Sequence, residues 1–190
     1  MKIIALVGMT GSGKSVAADF LVKKGFQFIR FGQITLDIVK ERGLEPTEEN
    51  ERPIREDLRK KHGMAAYAIL NIPKIDKMLQ KGGVVIDGLY SWEEYLELKK
   101  KYGNSFVCLA LYSSPETRYK RLTSRKYEPD KDGKMRNRPS SNDQAQNRDY
   151  SEIEKLNKAG PIAMADFTII NEESLEDLYK NIDELMKKIT

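Results

Sequence analysis

Cysteine and histidine are almost absent from this chain of 190 residues, which contains one of each, Cys108 and His62. A single cysteine cannot form an internal disulfide, and chains without disulfides are typical of a reducing cytoplasm. A structural zinc site needs about four Cys or His ligands, so the composition argues against that kind of metal centre. We therefore expect a cytoplasmic protein that is stabilised by its hydrophobic core.

Long hydrophobic runs are also missing, because no apolar stretch approaches the roughly 20 residues that a membrane helix needs. The first residues are apolar, but glycines and Lys14 follow them without a small-residue cleavage site, which argues against a signal peptide. With 39% hydrophobic and 33% charged residues, the composition is that of one soluble, charge-rich domain. We expect no membrane partner, and the sequence leaves the oligomeric state open.

The net charge of +4 is modest, and it makes nucleic acid an unlikely partner. The distribution of charge is more informative. Residues 118–148 contain ten lysines and arginines against four acids, a larger excess than that of the whole chain. This segment is either a binding surface for an anion or a solvated charged loop.

Short apolar runs of strand length alternate with helical segments along the chain. We predict strands at residues 2–7, 26–31, 84–87, 106–112 and 167–170. Strands that alternate with helices predict an α/β fold, a three-layer α/β/α arrangement around a parallel five-stranded sheet. Ligands of such sheets bind at the carboxyl ends of the strands.

Three prolines lie between the second and third predicted strands, and two of them, Pro53 and Pro73, interrupt helical segments. Because proline lacks an amide hydrogen, we predict a helix break at Pro53, a helix over residues 55–70 and another over residues 75–80, after Pro73. Residues 127–142 are rich in Pro, Gly, Asp and Asn and predict a loop. A polar helix is expected over residues 142–156.

The clearest motif is the run Gly8-Met9-Thr10-Gly11-Ser12-Gly13-Lys14-Ser15, which matches the phosphate-binding pattern G-x-x-x-x-G-K-[ST]. It follows a predicted strand and opens a predicted helix, as the motif requires. Its glycines let backbone N–H groups turn inward toward phosphate oxygens, and the helix N-terminus adds partial positive charge. Lys14 is then expected to reach the terminal phosphates of ATP, and Ser15 to ligate Mg²⁺.

Asp87 ends the third predicted strand, at the same sheet edge as the phosphate-binding loop. Its carboxylate is a candidate for organising the Mg²⁺ ion or for accepting a proton. A GTPase is disfavoured, because Asn157-Lys158-Ala159-Gly160 has glycine where the guanine-binding motif N-K-x-D needs aspartate.

In the order of its elements and in this loop, the chain resembles the nucleoside monophosphate kinases and dephospho-coenzyme A kinases, a branch of the P-loop kinases. The resemblance implies a single kinase domain over residues 1–190 that uses ATP and Mg²⁺ and phosphorylates a small, nucleotide-like acceptor. Its core would comprise residues 1–31, 82–124 and 151–190. A helical acceptor-binding insert would cover about residues 32–73, and a mobile lid about residues 125–150.

The family also implies roles for residues outside the loop. Lid arginines that stabilise the transferring phosphoryl group would be Arg125, Arg136, Arg138 and Arg148. Arg42 and Arg59 would bind the acceptor's phosphate. Asn171 follows the last strand, where the family's loop lies beside the adenine.

The acceptor group stays open. Dephospho-coenzyme A kinases transfer to a hydroxyl and commonly place an aspartate just beyond the second strand, where this chain has Arg30-Phe31-Gly32-Gln33. A phosphate acceptor is already ionised and needs no base, so this absence favours a nucleoside monophosphate-like acceptor. Two further alternatives are a regulatory P-loop ATPase without a small-molecule acceptor and a nucleic-acid-end kinase.

Overall fold

The chain folds around a parallel sheet, as seen in a computed structural model that describes residues 1–125 and 140–189. The described strands form one five-stranded sheet in the order β2-β3-β1-β4-β5. All neighbouring strands pair in parallel. The predicted three-layer α/β/α class is confirmed. The strands are β1 (Ile3–Val7), β2 (Gln27–Arg30), β3 (Val84–Asp87), β4 (Phe106–Tyr112) and β5 (Phe167–Ile170).

Helices connect these strands and cover both faces of the sheet. A 3₁₀ turn at Gly103–Ser105 precedes β4. The described α-helices are α1 (Lys14–Lys23), α2 (Gln33–Glu41), α3 (Glu48–His62), α4 (Ala66–Leu79), α5 (Trp92–Tyr102), α6 (Pro115–Thr123), α7 (Asn142–Leu156), α8 (Ala159–Ala163) and α9 (Leu175–Ile189).

The two faces of β1 lie in separate hydrophobic cores, since successive side chains of a strand point to opposite faces. Ile3, Ala5 and Val7 face a core shared with α2 to α5. Ile4 and Leu6 face a core shared with α1 and α9. All five side chains are at most 1% exposed. This burial on both sides explains why β1 is continuously apolar rather than alternating.

The predicted helix break at Pro53 is wrong, because α3 continues through that residue. Pro73 likewise lies inside α4. Each proline removes one bond to the carbonyl four residues earlier, and those carbonyls belong to Glu49 and Ile69, which are exposed to water. The real break is at Gly63, whose φ of 75° favours glycine, so the helix predicted over residues 55–70 is also wrong.

Three helices, α2, α3 and α4, occupy the space between β2 and β3 in the chain. The predicted acceptor-binding insert falls on them, and its role stays a prediction. Most of the predicted lid loop lies outside the described residues. Among the helices of residues 1–125 and 140–189, none has the length and apolar character that crossing a membrane would require.

We predict that Pro53→Ala raises the free energy of unfolding by about 1–2 kcal/mol, because alanine restores a helical hydrogen bond and removes ring strain. Urea denaturation measures this change. Pro115→Ala is the matched control, since Pro115 opens α6, where proline is favoured and its replacement brings no gain. A loss of stability in Pro53→Ala would contradict a continuous α3.

Candidate active site

The loop Gly8–Ser15 joins β1 to α1 and has no space for a side chain at three of its glycines. Gly8, Gly11 and Gly13 have φ values of 137°, 86° and 96°. A Cβ atom would lie 2.3 Å from the Leu111 carbonyl oxygen at Gly8, 2.8 Å from the Arg118 carbonyl oxygen at Gly11, and 2.3 Å from Asn171 Nδ2 at Gly13. The glycines therefore serve both the left-handed backbone and the close packing of neighbouring elements against the loop.

Two side chains from the side of the sheet that contains β4 and β5 hold this loop in place. Asn171 Nδ2, after β5, donates to the Ser12 carbonyl at 3.0 Å. Arg118 Nη1, on α6, donates to the Thr10 carbonyl at 3.0 Å. Both side chains are buried. The loop conformation is thus fixed before any ligand binds, and we expect this pre-organisation to favour phosphate binding.

Lys14 currently binds its own loop. Its ammonium group donates to the carbonyl oxygens of Gly8 at 2.8 Å and Met9 at 2.9 Å. Burial, together with the positive charge of Lys158, lowers the pKa of Lys14 to about 7, although Asp87 and Glu152 act in the opposite direction. An ammonium group held in this way lacks a strong anionic partner, and a polyphosphate would supply one.

Asp87 lies where the sequence predicts, at the carboxyl end of β3. It pairs in register with Leu6 of β1 and Arg30 of β2, and it is 8% exposed. The negative charge of Asp87 stabilises the ammonium form of Lys14, so the carboxylate and the loop share one site. Ser15 occupies the first turn of α1, at the end of the same loop.

The side chains of Ser12, Ser15 and Asp87 fit a Mg²⁺–nucleotide complex. The Ser12 hydroxyl is buried inside the loop and has no hydrogen-bond partner among the described residues. A hydroxyl and a carboxylate are the oxygen ligands that Mg²⁺ prefers. Residues 1–125 and 140–189 contain no cluster of three or more Asp, Glu, His or Cys side chains that would hold a metal alone. We therefore expect Ser15 and Asp87 to hold Mg²⁺ together with the nucleotide's phosphates.

Helix α7 and the turn that follows it bring three further charges to the loop, Arg148 and Glu152 on the helix and Lys158 after it. Glu152 accepts a hydrogen bond from Arg148 Nε at 2.9 Å, forms an ion pair with Lys158 and accepts from the Thr10 hydroxyl at 3.4 Å. Burial raises the pKa of Glu152, but Lys158 and Arg148 outweigh it and hold the pKa at about 2. The carboxylate is therefore ionised at neutral pH, and Arg148, predicted from the sequence, lies in this group.

The other predicted residues have different locations. Arg125 lies two residues after the end of α6, at the edge of the described residues, whereas Arg136 and Arg138 lie outside them. The side chain of Asn171 is 5% exposed and is engaged with the loop, so its observed contact is with the protein backbone. Its predicted contact with the nucleotide stays a prediction.

The predicted acceptor residues differ from each other. Arg59 lies on α3 with its guanidinium over the Tyr67 ring at 5.5 Å, and its buried Nε has no hydrogen-bond partner in the described part of the chain. Tyr67 in turn contacts Thr35 through a 2.5 Å hydrogen bond between hydroxyls. Arg42 is exposed at the C-terminal end of α2, where its positive charge attracts the carboxylate of Asp57. The structure thus brings Arg59, and not Arg42, to the inner side of the insert.

Sequence reasoning missed four residues that shape the site, Arg118, Asp149, Glu152 and Lys158. Two of them form a buried ion pair, with 2.7 Å between Arg118 Nη2 and Asp149 Oδ2. One usable signal was the spacing of Arg148 and Glu152, four residues apart in a predicted helix. Lys158 was considered only as part of an incomplete guanine-binding motif, yet it is 1% exposed and paired beside the loop.

Comparisons with known families agree with this geometry. Residues 4–154 match the family model described as an AAA domain. The chain is 32% identical over 189 residues to a UPF0200 protein of Thermococcus onnurineus, covering 98% of this chain and 97% of that protein. It is 36% identical over 190 residues to a UPF0200/UPF0201 protein of Archaeoglobus fulgidus, of which it spans only 56%.

Solved structures show the same fold at low sequence identity. A shikimate kinase from Bacteroides thetaiotaomicron superposes with a TM-score of 0.57 at 16% identity, and the match covers 98% of both chains. A gluconokinase from Sinorhizobium meliloti gives a TM-score of 0.55 at 14% identity, over 99% of this chain and 95% of that chain. This chain therefore shares its fold with these two kinases.

We predict that Asn171→Asp lowers the free energy of unfolding by about 1–3 kcal/mol, because a buried donor becomes an acceptor that faces the Ser12 carbonyl. The same change should weaken nucleotide binding by releasing the loop. Thermal unfolding and calorimetric titration with ATP measure the two effects. Unchanged stability and affinity would contradict the role of Asn171 in holding the loop.

Nucleotide binding should also take up a proton. In the free protein Lys14 has a pKa of about 7 and is mostly neutral at pH 8. Bound phosphates favour the charged form and raise this pKa, so binding at pH 8 should take up close to one proton, and binding at pH 6 almost none. Titration calorimetry in buffers of different ionisation enthalpy measures the uptake, and Lys14→Arg, which stays charged, is the control. Equal uptake at both pH values would contradict the prediction.

Proposed function

This chain belongs to the UPF0200 family and carries a P-loop domain; from that premise we propose that it is a kinase. It would transfer the γ-phosphoryl group of ATP, bound with Mg²⁺, to a small nucleotide-like acceptor. The observation that carries this proposal is the shared edge of the sheet. The phosphate-binding loop and Asp87 lie at neighbouring strand ends, and the helices α2 to α4 follow from the adjacent strand β2.

Each side of that edge has a distinct chemical character. The donor side contains the loop, Lys14 and the charged group of Arg148, Glu152 and Lys158. This set of charges suits a polyphosphate. The acceptor side contains Arg59, a half-buried guanidinium whose Nε lacks a partner among the described residues. A second anion, carried by the acceptor, would satisfy it. This arrangement supports transfer between two bound small molecules rather than simple ATP hydrolysis.

The proposed chemistry depends mostly on positioning and charge. Lys14 would leave the loop carbonyls for the terminal phosphates, and Arg148 would stabilise the charge that develops on the transferred group. When bound, Mg²⁺ would neutralise phosphate charge, held by Ser15 and Asp87. Phosphate acceptors of this kind need no general base, because their oxygen is already ionised.

The position of Asp87 favours a second candidate, transfer to a hydroxyl as in dephospho-coenzyme A kinases. A buried carboxylate beside Lys14 could accept the proton of an attacking hydroxyl. The two candidates share the donor site and differ in the acceptor group. A panel of acceptors therefore distinguishes them.

The test is an ADP-release assay with ATP and Mg²⁺ across the nucleoside monophosphates and dephospho-coenzyme A. We expect one acceptor to stimulate ADP release and Lys14→Ala to abolish it. Arg59→Met should raise the acceptor's KM about 10- to 100-fold without changing the KM for ATP, because it removes a charged hydrogen-bond donor.

Arg52→Met is the matched control, since Arg52 lies on the same helix with its side chain 67% exposed and paired to Glu56. It should leave both KM values unchanged. ATP binding without stimulation by any acceptor would contradict the kinase proposal and favour a regulatory ATPase. Binding that requires a nucleic acid end and weakens steeply with salt would favour an end-kinase instead.

A further inference from the structure

The carboxylate of Glu152 joins three parts of the chain, and the sequence motifs assign it no role. We infer that Glu152, anchored by Lys158, is a positioning residue that holds Arg148 at the phosphate side of the loop. This inference rests on the proposed function, because it concerns how the γ-phosphate of ATP is recognised.

Both oxygens of Glu152 are engaged. Oε1 accepts a hydrogen bond from Arg148 Nε at 2.9 Å, one helical turn earlier. Oε2 contacts Lys158 Nζ and accepts from the Thr10 hydroxyl at 3.4 Å. One side chain thereby connects α7, the phosphate-binding loop and the turn before α8.

Lys158 holds the Glu152 carboxylate in place from its buried side. It is 1% exposed, and its ammonium lies 4.8 Å from the centre of the Tyr90 ring. Its position depends on Asn157, which has a left-handed φ of 51° at the end of α7. The Lys158 amide also donates to the Glu152 carbonyl at 3.3 Å. Burying a single charge is costly, so the Lys158 ammonium and the Glu152 carboxylate each need the other as a counter-ion, which keeps the two side chains together.

A second link ties the same helix to the same loop residue. Asp149, one turn before Glu152, pairs with Arg118, and Arg118 donates to the Thr10 carbonyl. Thr10 is therefore held through its hydroxyl by Glu152 and through its carbonyl by Arg118. Because the two contacts are independent, α7 cannot shift far relative to the loop without breaking one of them.

Arg148 is the member of this group that can meet a ligand. Its side chain is 55% exposed, whereas that of Glu152 is 8% exposed. A guanidinium that is held through Nε can present its terminal nitrogens as a fork to a phosphate. Glu152 itself would repel phosphate, so it acts through Arg148, as a positioning residue rather than a catalytic one.

The experiment measures dissociation constants for ADP and for a non-hydrolysable ATP analogue, each with Mg²⁺, by titration calorimetry. Glu152→Gln should weaken binding of the ATP analogue about tenfold more than binding of ADP, because the positioned arginine recognises the γ-phosphate. Arg148→Met should show the same selective loss. In the Arg148→Met background, Glu152→Gln should have no further effect on the ratio of the two constants.

Glu56→Gln is the matched control. It breaks an Arg–Glu pair of the same spacing and geometry on α3, with 2.8 Å between Arg52 Nε and Glu56 Oε1. It should leave the ratio unchanged. An equal loss of ADP and ATP-analogue affinity in Glu152→Gln would overturn the inference, as would an additional loss in the Arg148→Met background.

Glu152→Gln leaves Lys158 buried without its counter-ion and can impair folding, which thermal unfolding will reveal. The double variant Glu152→Gln/Lys158→Met removes both charges and should recover stability while keeping the selective loss. Recovery of ATP-analogue affinity together with stability would show a purely structural pair and overturn the inference. A wild-type chain that binds neither nucleotide would overturn the proposed function itself, whereas nucleotide binding without the selective loss overturns only this inference.

Discussion

Three glycines of the phosphate-binding loop leave no space for a side chain, because neighbouring elements pack directly against the loop backbone. At Gly8, Gly11 and Gly13 a single added carbon would collide with β4, α6 and the residue after β5, respectively. The conformation of the loop is therefore set by contacts with three separate parts of the protein, and we expect this pre-organisation to favour phosphate binding.

The same packing concentrates positive charge that the free protein must stabilise. Lys14 uses two carbonyl oxygens of its own loop, and Lys158 and Arg148 share the carboxylate of Glu152. Asp87 contributes a second negative charge from β3. The two carbonyl oxygens are weaker partners for the Lys14 ammonium group than a polyphosphate would be. Ligand binding would thus replace internal contacts instead of filling an unstructured site.

The sequence predicts the fold well because hydrophobic pattern decides it. The apolar run of β1 and the glycine-rich motif indicate a buried parallel strand, a loop and a helix, and all three lie where expected. The prolines at positions 53 and 73 misled the helix assignment, since the residues whose carbonyls lose a hydrogen bond, Glu49 and Ile69, are exposed to water. Local propensity does not contain that tertiary information.

The site is only partly predictable for a related reason. Asp87 and the loop follow from strand ends, which the motif and the parallel topology locate. Glu152 and Lys158 depend on how α7 crosses the loop and on the left-handed residue Asn157, and no short motif encodes either feature. The contact of the Asn171 amide with the Ser12 carbonyl joins residues 159 positions apart, and no local pattern encodes it.

Following the γ-phosphoryl group of ATP shows whether this chain is a kinase. The protein would be incubated with Mg²⁺ and ATP labelled in the γ-phosphate, together with a mixture of nucleotides, coenzyme A precursors and sugar acids, and the products would be separated. For a kinase we expect the label in one organic product, and we expect Lys14→Ala to prevent this. Label found only in inorganic phosphate, at the same rate with and without the mixture, would contradict the kinase proposal.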